Sequence, residues 1–120
     1  MLDDVLSSVQ ERFPSLPLVY VKSDIEGFEP RMFRGAWRTL AHYQPPEIAF
    51  EILGKAFNLT LCSAEAMLRG LFDLGYGVTV KGISEPVLNR SRIAHEARLI
   101  VDKKLHFDVF ACSKPPCSYN

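Results

Sequence analysis

Apolar positions along the chain follow two periods. Leu2, Val5, Leu6, Val9 and Phe13 recur at i, i+3, i+4, i+7 and i+11, the stripe of an amphipathic helix. Asp3 and Asp4 stand in its first turn, where carboxylates complement the helix dipole, and Pro14 and Pro17 end it. Leu18, Val19, Tyr20 and Val21 then form a short β-rich run, the mark of a buried strand. Phe33, Ala36, Trp37, Leu40 and Ala41 define a second helical face over Pro30–Tyr43, closed by Gln44-Pro45-Pro46. Glu47–Leu53 reads as a second buried strand.

After a connection over 54–61, Ser63 as N-cap and Glu65 in the first turn open a third helix. Its apolar face is Ala64, Met67, Leu68, Leu71 and Phe72, and Gly75 supplies the stop, while Gly70 is a weak point inside it. Tyr76–Lys81 predicts a third strand, and Gly82–Asn89 a loop. Ser91–Lys104 predicts a partly helical segment, and the alternation of Phe107, Val109 and Ala111 predicts a last strand over His106–Cys112. Strand, helix, strand, helix and two strands make an α/β fold with a parallel pair at its centre. The domain is expected to span residues 1–112, with 113–120 a disordered tail.

A chain of 120 residues, 48% hydrophobic and 23% charged, suffices for one core and excludes a disordered or fibrous class. Fourteen Lys and Arg balance fourteen Asp and Glu, so no net charge recommends nucleic acid or an anionic membrane as partner. The acidic N-terminus lacks the layout of a signal peptide, and no apolar run reaches the roughly 18 residues of a membrane span. Cys62, Cys112 and Cys117 are odd in number and form no C-x-x-C pair, which argues against a disulfide framework and for a reduced, cytoplasmic setting.

The chemistry gathers after the first strand. Lys22, Asp24 and Glu26 stand at alternate positions, so a strand continuing through Glu26 would point all three one way. Gly27 then breaks the strand and Pro30 suits the first turn of a helix. Open α/β sheets build their sites at such strand ends. Glu51, leaving the adjacent strand, can join them. The bland reading has Asp24 and Glu26 bonding the turn backbone while Lys22 neutralises them. Arg31, Arg34 and Arg38 share a helix face, read as solvated surface rather than a phosphate stripe. His42, His95 and His106 show no metal-like spacing and read as surface or helix-end residues.

Lys22-Ser23-Asp24-Ile25-Glu26-Gly27-Phe28-Glu29, followed by Phe33 and Gly35, resembles the signature K-x-D-[VI]-E-G-x-E of FkbM-type methyltransferases. Leu2-Asp3-Asp4 upstream and Pro46-Glu47-Ile48-Ala49-Phe50-Glu51 downstream keep the family's order, while Ser23 stands where the family has an apolar residue. The resemblance covers the first half of the chain. It implies part of a Rossmann-like methyltransferase sheet, strands four to seven, mostly parallel with the last strand antiparallel, flanked by helices.

It further implies S-adenosylmethionine as cofactor and O-methylation of a small molecule or sugar. Asp24 and Glu26 would be catalytic, and Lys22 and Glu51 substrate-binding, with no metal required. Methyl transfer needs the acceptor held in line and often deprotonated, work suited to Asp24 as base or positioning group. No Gly-x-Gly-x-Gly turn for the donor exists in the sequence, so the chain looks like the C-terminal half of such a domain and is expected to be inactive alone. The rival expectation is a non-catalytic half-domain serving as a scaffold or partner-binding piece. Either way, the first strand should form an exposed edge open to pairing.

Overall fold

A computed structural model describes residues 1–56, 59–82 and 85–113. The elements are α1 (Leu2–Arg12), β1 (Tyr20–Ser23), α2 (Glu29–Arg34), α3 (Trp37–Tyr43), β2 (Glu47–Leu53), α4 (Leu61–Asp73), β3 (Gly77–Val80), α5 (Ile93–Asp102) and β4 (His106–Cys112), with a 3₁₀ turn over Arg90–Arg92 before α5. Residues 114–120 of the expected tail lie outside the described residues, as do 57–58 and 83–84 within the expected connections.

The strands form one mixed sheet in the order β1-β2-β4-β3. β1 runs parallel to β2, Tyr20 beside Glu47 through Ser23 beside Phe50. β4 lies antiparallel to both neighbours, from Glu47↔Cys112 to Leu53↔His106 on one side and Gly77↔Cys112 to Val80↔Val109 on the other. The parallel pair is therefore at an edge and an antiparallel pair is at the centre, which corrects the expected arrangement. The reason is burial. β2 and β4 share a seven-residue register rich in buried side chains, whereas β1 has four residues, of which Ser23 alone is fully buried.

Ile48, Phe50, Ile52, Val78, Val80, Val109 and Ala111 project from one sheet face into the same core as Phe33, Leu40, Met67, Leu68, Leu71, Ile93 and Ile100 of the helices. The helices thus layer on that face. On the other face, toward β1, Tyr20, Lys22, His106 and Asp108 are exposed. No described helix is long and apolar enough to cross a membrane.

The expected helix over Pro30–Tyr43 is two helices, broken at Gly35-Ala36. The break serves α1. The Asp3 N–H donates to Gly35 O at 2.9 Å, and a Cβ on Gly35 would press on the Met1 side chain at 3.0 Å. Asp3, in the first turn of α1 as expected, is buried and accepts the Thr39 N–H at 2.8 Å, so it caps α3 as well. Arg31, Arg34 and Arg38 are exposed and divided between α2 and α3. α1 buries only part of its stripe: Leu2 packs on the core, while Val5, Val9 and Phe13 stay exposed.

α4 begins one turn earlier than expected. Thr60 is its N-cap, accepting the Ser63 N–H at 3.1 Å, and the Ser63 hydroxyl answers the Thr60 N–H at 2.9 Å. Gly75 takes the left-handed conformation just past its end, as expected (φ +89°). Cys62 is a free, exposed thiol, whereas Cys112 is disulfide-bonded, against the expectation of reduced cysteines.

Candidate functional site

β1 stops at Ser23, so strand alternation does not carry Lys22, Asp24 and Glu26 to one point. The chain turns instead. Glu26 adopts the left-handed conformation (φ +52°), followed by Gly27 at φ +100°. A non-glycine residue there is unfavourable unless its surroundings hold it. Glu29 does so: its carboxylate accepts the Ile25 N–H at 3.1 Å and the Gly27 N–H at 2.8 Å. Only 1% of Glu29 is exposed, so a buried charge is bound to backbone donors on both oxygens. The backbone-bonding role foreseen for Asp24 and Glu26 thus belongs to Glu29.

The turn delivers Glu26 to a cleft of about 310 Å³ lined also by Leu53, Gly54, Lys55, Ala56 and His106. The cleft lies where β2 ends and β4 begins. A close approach shapes its floor: the Gly54 N–H donates to Leu105 O at 2.7 Å, and a Cβ on Gly54 would fall 2.3 Å from Ile100 O. Only glycine fits there.

Glu51 reaches the same place through His106, whose Nε2 lies 3.2 Å from Glu51 Oε2. The imidazole N–H donates and the carboxylate accepts. Glu51 also stands directly opposite Asp108 in the ladder, a like-charge pair that a donor from His106 helps to offset. Both partners keep contact with solvent, their side chains 57% and 37% exposed for His106 and Glu51. An imidazole oriented by a carboxylate at the mouth of a cleft is equipped to accept a proton from a bound hydroxyl. Lys55 and Glu26 supply opposite charges at the rim.

Of the residues singled out in the sequence, Glu26 and Glu51 are brought together by way of His106. Lys22 and Asp24 are exposed, make no ion pair among the described residues, and are not among those lining the cleft. His106 and Lys55 were missed. His106 sits two positions before Asp108 on an alternating strand, and reading β4 antiparallel beside β2 would have set it near Glu51. No sequence signal marks Lys55.

No family model, curated protein or solved structure matches the chain.

Proposed function

We propose that the chain forms the acceptor-side part of an FkbM-type, S-adenosylmethionine-dependent methyltransferase that methylates oxygen in a small molecule or sugar. The observation that carries this reading is the meeting of Glu26 with the Glu51–His106 pair around one cleft at the carboxyl ends of two parallel strands. The Lys22–Glu29 signature and the antiparallel last strand support it.

The donor is a separate matter. The cleft offers two side chains of opposite charge, one imidazole and three apolar or small residues, with no glycine-rich turn to cradle a methionine carboxylate. These residues do not fit S-adenosylmethionine by themselves. The chain's own contribution would be to seat a hydroxyl against Leu53 and Ala56, to take its proton on His106 and to hold that imidazole with Glu51. Lys55 and Glu26 would orient polar groups of the acceptor. Lys22 and Asp24, on the β1 side, would act only where an acceptor extends beyond the cleft.

The test is transfer of an isotopically labelled methyl group to a panel of hydroxylated small molecules and sugars, with and without a separately expressed glycine-rich N-terminal half of an FkbM-type enzyme. Product in the mixture alone is expected. A mixture that forms a complex, binds donor and yet labels no acceptor removes the proposal. The exposed β1 edge favours a second reading, a non-catalytic partner-binding piece, which binding without transfer would support.

A further inference from the structure

The sheet has two outer edges, and the molecule treats them differently. At β3, the Leu88 N–H donates to Val78 O at 2.6 Å, so the segment before α5 lies along that edge. At β1, no described residue other than those of β2 bonds the backbone of Leu18–Asp24. Exposed side chains flank this edge: Leu16, Val19 (62% exposed) and Tyr20. Native proteins blunt a free edge with proline, a bulge or charge. Tyr20–Ser23 contains neither proline nor bulge. Its one charge, Lys22, is followed two residues later by Asp24 of opposite sign, and neither has an ion-pair partner among the described residues.

β1 ends at Ser23, and Asp24 prolongs it by one residue before the left-handed turn begins at Glu26, so Lys22 and Asp24 on either side of Ser23 are self-complementary. We infer that β1 pairs antiparallel with β1 of a second copy of this chain about a two-fold axis at Ser23, setting Lys22 of each copy against Asp24 of the other. The competing registers are worse. Centring on Lys22 opposes the two lysines, and centring on Val21 sets Asp24 against Leu18. Centring on Ser23 forms two opposite-charge cross-strand pairs and sets Val21 against Ile25. The ladder then ends at Ile25, whose N–H is already donated to Glu29. An isologous pairing of this kind closes on itself and yields a continuous eight-stranded sheet. With a formal net charge of zero, no long-range repulsion opposes association. The inference does not rest on methyl transfer; any strand supplied by another polypeptide would have to displace the second copy from the same edge.

Sedimentation equilibrium of the purified 120-residue protein across micromolar concentrations tests it, with Lys22→Asp, Asp24→Lys and the double exchange run alongside. Both positions are exposed, and far-UV circular dichroism checks that each variant is folded. The expected result is a reversible dimer, weakened about tenfold or more by either single charge reversal and recovered in the double exchange. A monomer at all concentrations overturns the inference. So does a dimer indifferent to both single variants, as pairing with some other surface would give, or one that the double exchange fails to restore.

Discussion

The Thr39 N–H donates to Asp3 Oδ1 at 2.8 Å, a bond that joins residues 36 apart and ties the first turn of α1 to the first turn of α3. α3 begins after Ala36, which has no side chain able to cap it. Its N-terminal donors are therefore served from another helix. Asp3→Ala leaves the Thr39 N–H buried and unmatched, and should cost about 1–2 kcal/mol in urea unfolding. Asp3→Asn, which keeps an acceptor, should cost less. Equal losses would mean that packing rather than the cap matters at this position.

Glu29 holds the turn that presents Glu26. Glu29→Ala removes two charge-assisted bonds from buried backbone donors and should destabilise the fold by about 3 kcal/mol or more. Hydrogen exchange at Ile25 and Gly27 should accelerate well beyond the global effect. Protection unchanged at those two amides would contradict the role assigned to Glu29.

Tyr76 donates its hydroxyl to Pro45 O at 2.8 Å, and burial pushes the phenol up to about 12 from its ordinary value of 10.0. The folded state therefore keeps a proton that the unfolded chain releases. This contribution is fully present below pH 10 and is lost as pH rises from 10 toward about 12. Melting temperature should fall across that window in the native protein. Tyr76→Phe should lose about 1 kcal/mol at neutral pH for the missing bond and should show a shallower alkaline decline. Parallel pH curves for the two proteins would refute the linkage.

A Cβ at Gly70 would lie 2.5 Å from Trp37 Cη2, so the glycine inside α4 is where the indole seats. Gly70→Ala gains helix propensity worth about 1 kcal/mol but forces the ring aside, a strain of about 1–3 kcal/mol. The net change should be destabilising in denaturant titration. Combined with Trp37→Leu, the alanine should turn neutral or favourable relative to the Trp37→Leu protein. Additive losses in the double variant would show that the ring is not the obstacle.

Under the proposed reaction, with the donor half supplied separately, His106→Ala should lower kcat by about a hundredfold or more, the scale of a lost general base. The solvent-facing site should leave thermal stability within about 0.5 kcal/mol of the native protein. A matching loss of stability would make His106 a folding residue.

The helical and strand periods exposed most of the elements because those side chains face one shared core. Val21, Phe50, Leu68 and Ile100 could be assigned from spacing alone. Register was legible only in part. The alternation of β4 is plain in sequence, yet its insertion between β2 and β3 depends on long-range pairing that no local pattern encodes. The break at Gly35-Ala36 was hidden for a similar reason, since the acceptor it frees serves Asp3 on another helix. At the site, Glu26 and Glu51 were recognisable from their places after apolar runs. His106 was not, because its meaning comes from the antiparallel neighbour that sets it beside Glu51. Glu29 was read as part of a signature, and its burial emerges only once the turn closes over it.

The position of β4 also sets an order of events during synthesis. β3 touches the other strands only through β4, which is made after all of them. Until that segment emerges, the nascent chain can hold β1 beside β2, but β3 with the segment before α5 has no ladder joining it to them. The interval leaves two unfinished edges, on β2 and β3, both rich in apolar residues. Closure by β4 seals both at once, so a stall shortly before residue 106 would expose more adhesive backbone than the finished fold ever does.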